Sequence, residues 1–574
     1  MKVSISWLKE LVNLKIPMEE LLRLLPLRTI GLKETNKDFL ELDMKGYNRA
    51  DLLSMRGVAF EIAAITDSPL KYSDVTDGEY TWVGKNLPTT PVTIENYDLS
   101  SVQVVAKIEN LKVEHSSDTW VKKLSDCGMR SVDNITDVTN LVTLEYGQPL
   151  HSFDARTVQD ETINVRLAKD EEEIITLDGK LRKFTSHDIV LADTKGPLDV
   201  AGVMGGKDTE IKDSTTTILL SASLFDFIHV RRTASRLNLH SEASRRFQHG
   251  LTKRRLLQAL DAAIKMYEQM GGKLTAITLV GNLTDETKTV TLRQEKLNSL
   301  MGIDIKPEGV EKYLTKLGFK TASHTTSGNV VWRVEIPYWR LDINIEEDLI
   351  EEVARMYGYE KIPAKALEGK EPEETDQSLF DTIRSLKKAL CEVGLTEVQT
   401  YSFYPSDVLN NLDWNKENLV KISNPISSET EYLREDIWPN LLEVAVKNIK
   451  HGYDEVAIFE LGKVYNVNKN SPAESYRISL CLANTNNNTI QELYQIFQNS
   501  CSNLKGCNVK LTVESEKMGE YEKKYFHPAR FAFLDRNGKT IGGIAEVHTK
   551  FTDKFGIKQR VAVLEFELQL IVEK

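Results

Sequence analysis

Apolar residues recur at helical spacing in several segments of the chain. The clearest segment lies between Pro307 and Gly318, and its apolar positions at i, i+3, i+4 and i+7 are Val310, Tyr313, Leu314 and Leu317. A second helix is predicted from about residue 345, with Leu349, Val353 and Met356 on one side. The same spacing, or a run of good helix formers, predicts further helices over 56–65, 118–127, 243–269 and 379–390.

Short β-type runs, broken by Gly and Asp, lie between the predicted helices. In the first half of the chain they cover 39–43, 102–108, 163–168, 188–193 and 217–223. In the second half they cover 330–336, 398–403, 456–462, 531–535 and 561–568. The mixture of helices and short strands predicts a multidomain α+β protein.

A polar, acidic stretch at 365–378 that contains Pro372 is the best linker in the sequence. No repeat with a period of about 20 to 50 residues is present, which excludes a repeat architecture. We predict a small N-terminal α+β domain, an α+β domain whose loops line a pocket, a small helix–strand domain, and a mainly antiparallel sheet with helices. These four domains are expected at 1–97, 98–280, 286–364 and 376–574.

The composition is that of a globular protein and limits the possible functions. The 574 residues include 41% hydrophobic ones, and 73 Lys and Arg against 85 Asp and Glu give a net charge of −12. A wholly basic nucleic-acid coat is excluded, although a local basic patch on an acidic body is compatible with RNA. No stretch reaches the roughly 18 apolar residues of a membrane helix, and the acidic N-terminal region is not a signal peptide. We therefore expect a cytoplasmic protein that does not bind a membrane.

Four acidic residues form the best candidate for a metal site. Asp348, Glu351 and Glu352 stand at i, i+3 and i+4 of a predicted helix, and Asp342 precedes that helix. Carboxylate ligands of this kind suit Mg²⁺. The alternative is that these acidic residues stabilise the first turns of the helix through its macrodipole and a capping box. The spacing by itself favours the alternative.

A histidine and a glycine-rich loop are candidates for a reactive site in the second predicted domain. His151 lies near Asp154 in a turn-like context, where it can act as an acid, a base or a hydrogen-bond donor, although a lone loop histidine is more often structural. Residues 201–208 superficially resemble a phosphate loop, but Ala201 and Asp208 stand where that motif needs Gly and Ser or Thr. We interpret the glycines as positions where the backbone approaches another group closely.

A local basic island runs from residue 231 to residue 255. Its basic residues are Arg231, Arg232, Arg236, Arg245, Arg246, Lys253, Arg254 and Arg255. On an acidic protein such an island suits phosphate groups, and a solvated helix face explains it equally well. His240 and Glu242 have the spacing of zinc deaminases, but no Pro-Cys-x-x-Cys follows, so that chemistry is excluded.

Nine motifs follow one another along nearly the whole chain. The first four are NRADLLSMRGVAFEIAAI at 48–65, GMRSVDNITDVTNLVTLEYGQPLHSFDA at 128–155, AGVMGG at 201–206 and SEASRRFQHG at 241–250. The other five are LMGIDIKPEGVEKYLTKLGF at 300–319, DINIEEDLIEEVARMYGYEKIP at 342–363, NPISSETEYLR at 424–434, FELGKVY at 459–465 and FHPAR at 526–530. Each motif is modest by itself, but the nine in this order are highly specific. The chain resembles the β-subunit family of bacterial-type phenylalanyl-tRNA synthetases over nearly its whole length.

The resemblance implies a non-catalytic large subunit of an (αβ)₂ heterotetramer that attaches phenylalanine to its tRNA with ATP. The synthetic active site would lie on the partner α subunit, and 376–574 would be a degenerate class II synthetase-like core. The 286–364 domain would be winged-helix-like. The 98–280 domain would be an editing module that hydrolyses tyrosine wrongly attached to the tRNA.

The resemblance also implies roles for individual residues. Magnesium would be bound by Asp342, Asp348, Glu351 and Glu352, which raises the metal interpretation above helix stabilisation. The editing pocket would include His151, Gly202, Gly205, Ser221, Ser241 and Ala243. From the basic island, contacts to tRNA phosphates are expected from Arg231, Arg232, Arg245 and Arg246.

Departures from the family pattern modify these expectations. The family inserts an oligonucleotide-binding barrel into its first domain and ends with a ferredoxin-like anticodon-binding domain, and neither has room here, so anticodon contact by this chain is not implied. Ser221 stands where the family has a carboxylate, which predicts weakened or lost editing. Ala529 stands where glycine is usual.

Two other functions remain open from the sequence. A free-standing tRNA deacylase would use the editing-like domain and would leave the last domain unexplained. A non-enzymatic RNA-binding or assembly paralogue is expected if no α subunit accompanies the chain.

Overall fold

The computed structural model describes residues 1–574 except 74–79, 284–286, 327, 367–368, 370–375, 469–470, 502–508, 514–517 and 569–574. The chain divides into two compact units, Met1–Ala366 and Leu367–Lys574. It mixes helices with several β-sheets, which confirms a multidomain α+β protein. The division into four domains stays a prediction, and most of the predicted linker at 365–378 lies outside the described residues.

The first unit contains most of the elements. Its strands are β1 Lys2–Ser4, β2 Leu32–Thr35, β3 Phe39–Leu42, β4 Val92–Ile94, β5 Ser100–Glu109, β6 Leu150–Asp154, β7 Ile163–Leu167, β8 Glu173–Ile175, β9 Leu181–Lys183, β10 Ile189–Ala192, β11 Pro197–Val200, β12 Met204–Gly205, β13 Ile218–Phe225, β14 Lys273–Gly281, β15 Thr289–Arg293, β16 Lys320–Thr326 and β17 Asn329–Glu335. Its helices are α1 Ile5–Leu11, α2 Met18–Arg28, α3 Met55–Thr66, α4 Asp118–Asp126, α5 Asn134–Tyr146, α6 Phe227–Arg236, α7 Glu242–Phe247, α8 Lys253–Gln269, α9 Gln294–Met301, α10 Pro307–Lys316 and α11 Glu346–Tyr357.

Two sheets of the first unit position the candidate site. One has the strand order β14-β5-β13-β6 and the other the order β12-β11-β10-β7-β4. Strand β13 is apolar on both faces: Leu220 packs with Leu256 of α8, and Leu219 packs with Phe153 and Leu191. Burial on both faces explains why this strand is a nearly continuous apolar run and not an alternating one.

The second unit is built on one seven-stranded sheet with the order β18-β19-β20-β24-β23-β22-β21. Its strands are β18 Thr396–Glu397, β19 Val456–Asn468, β20 Ser471–Asn484, β21 Lys510–Thr512, β22 Phe526–Arg536, β23 Lys539–Val547 and β24 Arg560–Glu567. Its helices are α12 Ser378–Glu392, α13 Ser406–Asn411, α14 Trp438–Lys450, α15 Thr489–Cys501, α16 Glu520–Tyr525 and α17 Thr549–Phe555.

Strand β24 shows how this sheet separates two cores. Val561 and Val563 pack in a cluster that includes Leu441 of α14, whereas Ala562 and Leu564 pack in a second cluster with residues of α12 and α15. The alternation follows from the two-residue period of a strand, which sends neighbouring side chains to opposite faces.

Several predicted elements are confirmed, among them the helices that became α3, α4, α10, α11 and α12. The single helix predicted over 243–269 is wrong, because it is divided into α7 and α8. Gly250 adopts a φ of +89°, which is incompatible with a continuous helix, and the Thr252 hydroxyl accepts the Arg255 N–H and starts α8. Helix α6 was not predicted.

The strand predicted over 398–403 is also wrong, since β18 stops at Glu397. Beyond this point the Thr400 hydroxyl donates to Glu460 at 2.6 Å and accepts from Arg434 at 2.9 Å. The last backbone bond of this segment to β19 is that of Val398 to the carbonyl of Phe459, and side-chain bonds hold the chain after it. In the described part of the chain, no helix is long and apolar enough to cross a membrane.

Candidate functional site

His151 lies where strands β6, β12 and β13 meet. It pairs across the antiparallel ladder with Ser221 of β13, so the two side chains share a face. Gly205 of β12 passes over the imidazole so closely that a Cβ atom there would lie 2.4 Å from His151 Cε1. Glycine is therefore required at this crossing. The structure thus brings together three of the residues predicted for the editing pocket.

The imidazole of His151 is held in an apolar environment. Its ring packs edge-on against Phe153 with centroids 4.5 Å apart, and burial lowers the pKa of His151 to about 4. The ring is therefore neutral at pH 7. Its Nε2 atom is buried and has no hydrogen-bond partner among the described residues, which marks it as a group available to a ligand.

Ser221 is engaged by a neighbouring glutamine. Its hydroxyl accepts a hydrogen bond of 2.8 Å from Gln103 Nε2, and the hydroxyl of Ser223 donates to Gln103 Oε1 at 2.5 Å. These polar groups are buried between the strands. Ser221 therefore lies beside His151 as predicted, but one of its hydrogen bonds serves the sheet itself.

Asp199 of β11 is the group that the sequence analysis missed. Its side chain is buried, and burial raises the pKa of Asp199 to about 8, so the carboxyl is largely protonated at pH 7. Asp199 pairs with Gly205 across the ladder, and its Oδ1 atom has no partner among the described residues. Because cross-strand pairs share a face, this carboxyl and the His151 ring lie on the same side of Gly205. The sequence signal was a lone Asp between Leu198 and Val200.

The other predicted pocket residues support the loop that carries Gly205. Gly202 has a φ of +69°, and a Cβ there would lie 3.0 to 3.1 Å from Phe247, Phe225 and Val230. The Ser241 hydroxyl donates to the carbonyl of Val203 at 2.6 Å and also caps α7. Ala243 packs, half-buried, against the neighbouring apolar cluster. These three residues thus hold the loop against α6 and α7.

The basic island separates into exposed and buried members. Arg231 and Arg232 on α6 are exposed and form no ion pair within the described part of the chain, as a phosphate contact requires. Arg245 is half-exposed, with Nη1 3.8 Å from Glu242.

Arg246 does not fit the predicted contacts to tRNA phosphates. Its side chain is only 1% exposed, Nε donates to the carbonyl of Leu53 at 3.0 Å, and Nη1 donates to Glu242 at 2.6 Å. Helix α7 turns this arginine inwards, so it connects α7 to the backbone before α3 instead of facing solvent.

The four acidic residues predicted to bind magnesium are not gathered around a common point. Asp342 accepts hydrogen bonds of 2.9 and 2.7 Å from Arg340. Glu352 accepts from Arg340 at 2.5 Å and from Arg355 at 2.6 Å. Although burial opposes it, the guanidinium groups of Arg355 and Arg340 hold the pKa of Glu352 well below its usual range. Two of the four carboxylates are therefore neutralised by arginines.

The remaining two acidic residues have no shared partner. Asp348 accepts the N–H groups of Asn344 at 2.6 Å and of Ile345 at 2.9 Å, at the start of α11, and Glu351 is exposed. Within the described ranges, no group of three or more His, Cys, Asp or Glu side chains could hold a metal ion. Arginines and the start of a helix engage three of these carboxylates, so the described residues do not form a metal site by themselves, and the magnesium assignment stays a prediction.

A buried ionic network joins the segment before α3 to α11. Arg49 donates to Asp51 at 2.9 and 2.7 Å and to Glu61 at 2.9 Å. Glu61 also accepts from Arg355, which in turn binds Glu352. This network could not be predicted from the sequence, because its members lie far apart in the chain, as Glu61 and Arg355 do with a separation of 294 residues.

Family models match three successive segments of the chain. The B3/4 domain model matches residues 101–272, the tRNA synthetase B5 domain model matches 290–359, and the model of the phenylalanyl tRNA synthetase beta chain CLM domain matches 362–568. The class of protein that these models define is one built from domains of aminoacyl-tRNA synthetases.

Curated relatives identify the family. The phenylalanine--tRNA ligase beta subunit of Staphylococcus haemolyticus is 32% identical over 556 residues, which cover 94% of this chain and 67% of the relative. That of Streptococcus thermophilus is 31% identical over 525 residues, covering 89% and 64%. The chain belongs to the phenylalanine--tRNA ligase beta subunit family. It spans 64% of the length of its Streptococcus thermophilus relative.

Among solved structures, an N-terminal fragment of the phenylalanyl-tRNA synthetase beta subunit from Pyrococcus horikoshii is 15% identical, with a TM-score of 0.35. The match covers 62% of this chain and 99% of that fragment.

Proposed function

We propose that this chain acts as the β subunit of a phenylalanine--tRNA ligase. In this proposal it assembles with an α subunit as an (αβ)₂ heterotetramer in the cytoplasm, binds tRNA, and takes part in the ATP-dependent attachment of phenylalanine. The observation that carries the proposal is 32% identity over 94% of the chain to a relative of that name. The domain roles follow the same relationship: an N-terminal domain at 1–97, an editing-like domain at 98–280, a winged-helix-like domain at 286–364 and a class II synthetase-like core at 376–574.

The synthetic active site is proposed to lie on the α subunit. The test is ATP–pyrophosphate exchange with phenylalanine, measured for the purified chain and for the chain co-expressed with the candidate α subunit. Exchange is expected only with the α subunit. Robust exchange by this chain alone would refute the division of labour, and deacylation of tRNA by the lone chain without complex formation would favour the free-standing deacylase.

Magnesium is expected in the assembled enzyme because ATP is its substrate. The residues Asp342, Asp348, Glu351 and Glu352 do not fit a metal centre within this chain, since arginines and backbone N–H groups engage three of them. No step of the proposed function is therefore assigned to a metal at this place.

A slow hydrolysis of Tyr-tRNA is proposed for the 98–280 domain. Ester hydrolysis needs an oriented water, and the neutral imidazole of His151 offers the unpartnered Nε2 atom as its acceptor. Recognition of the tyrosine hydroxyl is expected to be weak, because Ser221 is uncharged and its oxygen already accepts from Gln103. The domain therefore has the means to hold water and lacks a charged group to select tyrosine.

The decay of preformed Tyr-tRNA with the assembled enzyme tests this activity. The decay is expected to exceed the spontaneous rate modestly and to return to it in the variant His151→Ala. The matched control is His187→Ala, which removes an exposed histidine of the same domain. Equal decay with the parent enzyme and with His151→Ala would show that the site does not hydrolyse the ester.

Binding of tRNA is proposed to use the exposed arginines of α6. Each neutralised phosphate releases condensed counterions, so Arg231→Ala with Arg232→Ala should weaken binding and reduce the salt slope by about one to two. Little change in tRNA preference is expected, because phosphate contacts position the RNA without reading its sequence. The control is Arg384→Ala, an exposed arginine of α12. An unchanged slope in the double variant would remove α6 from the RNA surface.

A further inference from the structure

A cavity of about 430 Å³ opens on the sheet of the second unit. Residues of β20, β22, β23 and β24, together with the start of α14 and the helix α16, line it. This volume lies within the range of roughly 300 to 1,000 Å³ that small-molecule sites occupy. Its walls have two distinct characters, one aromatic and the other acidic.

The aromatic wall is a row of phenylalanines on β22. The ring centroids of Phe526 and Phe531 are 6.0 Å apart, and those of Phe531 and Phe533 are 4.8 Å apart. The last two rings are only half-buried. Their partners across the ladder are Ala545 and Gly543, which are too small to cover them. Both rings line the cavity and are only partly covered.

The acidic wall is arranged around one arginine. Arg477 is paired with Asp436 and lies 3.2 Å from Glu565. Asp436 also accepts the Tyr521 hydroxyl at 2.6 Å, and Glu565 accepts the N–H of Trp438 at 2.8 Å. The structure therefore holds these carboxylates in fixed positions at the back of the cavity.

Negative groups exceed positive ones in this lining. The carboxyl groups that line the cavity are Glu435, Asp436, Glu522, Glu565 and Glu567, and Arg477 is the cationic group among the lining residues. Burial, together with the charge of Asp436, raises the pKa of Glu565 to about 7 and raises that of Glu435. Because five carboxyl groups line the cavity beside one arginine, an additional cation would be stabilised here.

We propose that this cavity binds a small ligand with one aromatic ring and one protonated amino group. The ring would stack on Phe531 and Phe533, and the ammonium group would bind the carboxylates of Asp436 and Glu565. Offset stacking and charge-assisted hydrogen bonds are the interactions that these walls offer. A carboxylate on the same ligand would be disfavoured, because Arg477 is already paired on both sides. The inference stands apart from the proposed ligase function.

Calorimetric titration of the full chain with phenethylamine tests the proposal. Saturable binding of one equivalent is expected. Phenylalanine, which adds a carboxylate, should bind more weakly, and 3-phenylpropionate, which has no amino group, should not bind. Absence of saturable phenethylamine binding, or equal affinity for 3-phenylpropionate, would overturn the proposal.

Two variants locate the binding. Asp436→Asn keeps the shape of the side chain and should weaken phenethylamine binding about tenfold or more, which corresponds to about 1.4 kcal/mol. Its control is Asp413→Asn, at an ion pair with Lys554 in the same unit. Phe533→Leu should also weaken phenethylamine binding. Because Phe533 is half-buried, this variant should keep the fold even if Asp436→Asn does not. Its control is Phe380→Leu, at an exposed position. Unchanged affinity in a folded Asp436→Asn or in Phe533→Leu would place the amine elsewhere.

Discussion

The close approach of Gly205 to His151 is the tightest constraint on the candidate editing site. A methyl group at residue 205 would overlap the imidazole, with 2.4 Å between Cβ and Cε1. Gly205→Ala should therefore destabilise the protein by about 1 to 3 kcal/mol through overpacking. In Gly205→Ala/His151→Ala the space is free again, so the double variant should be more stable than the sum of the single effects by about 0.5 to 3 kcal/mol.

Urea unfolding of the parent, the two single variants and the double variant measures this coupling. Strict additivity of the two effects would contradict the predicted contact. A neighbouring control is Gly196→Ala, because nothing lies within 4 Å of a Cβ at Gly196.

The raised pKa of Asp199 predicts that the stability of the protein falls as the pH rises. Its pKa is about 8 in the fold and 3.8 without burial, so between these values the folded protein binds the extra proton. Stability from this group is therefore lost as pH rises towards 8, at about 1.4 kcal/mol per pH unit for a single proton. The variant Asp199→Asn has no carboxyl group to titrate at this position. The free energy of unfolding of the variant minus that of the parent should therefore increase from pH 5 to pH 8.

Thermal unfolding of both proteins at several pH values gives this difference. The exposed Asp208→Asn serves as the control and should track the parent. A constant difference between Asp199→Asn and the parent across this range would show that Asp199 ionises normally in the fold.

Helix α7 carries two neighbouring arginines, of which one packs in the interior of the protein and the other is partly exposed to solvent. Arg246 is buried, whereas its neighbour Arg245 is 37% exposed at the side chain. Arg246→Ala would remove the donor to the carbonyl of Leu53 and would create a cavity between α7 and the segment before α3. The free energy of unfolding should therefore fall by on the order of 3 kcal/mol. Arg245→Ala should cost less than about 1 kcal/mol.

The comparison of these two variants by chemical denaturation separates structure from RNA binding. If Arg246→Ala retained full stability and lost tRNA affinity, the original assignment of this arginine to phosphate contacts would be restored.

Asp348 lies at the start of α11, and this position predicts how its substitution changes the stability of the protein. Asp348 accepts two backbone N–H groups, so Asp348→Ala should cost about 0.5 to 2 kcal/mol, the usual range for a lost helix cap. Asp348→Glu should recover part of this stability, because Glu at this position also forms capping boxes. Glu351→Ala, on the exposed side of the same helix, is the matched control.

Melting temperatures with and without MgCl₂ distinguish the two interpretations of Asp348. The cap predicts the same destabilisation in both conditions. A stabilisation by Mg²⁺ in the parent that disappears in Asp348→Ala would instead show a metal ligand.

At the scale of the whole molecule, the chain contains two units with their own cores. The cores of the second unit consist of residues between 386 and 568, on the two sides of its sheet. Within the first unit, the Arg49–Glu61–Arg355 connection ties the N-terminal segment to α11. Fragments 1–366 and 376–574 should therefore each fold when produced alone.

Near-ultraviolet circular dichroism and cooperative unfolding of each fragment test this prediction. The control fragment 1–326 lacks β17 and α11, which removes Arg355 and leaves Glu61 and Arg49 partly unpaired in the interior. It should be less stable than 1–366. Equal stability of these two fragments would show that the ionic network contributes nothing.

Features that depend on local spacing or on matched motifs could be predicted from the amino-acid sequence. The period of Val310, Tyr313 and Leu314 was enough for α10, because a helix places such residues on one face whatever surrounds it. The family was also determined at this level, since ordered motifs need no structure. The choice of His151 as the candidate editing histidine came from the motif order as well.

The pairing of polar side chains with one another depends on the three-dimensional fold and could not be predicted from the sequence. Arg340 binds both Asp342 and Glu352, and Arg246 points inwards although its neighbour Arg245 does not. The lone Asp199 acquired its raised pKa from strands β10 and β12, which follow a path that the sequence does not encode locally. The physical reason is that charge pairing and desolvation depend on distances between residues far apart in the chain, whereas periodicity and motifs do not.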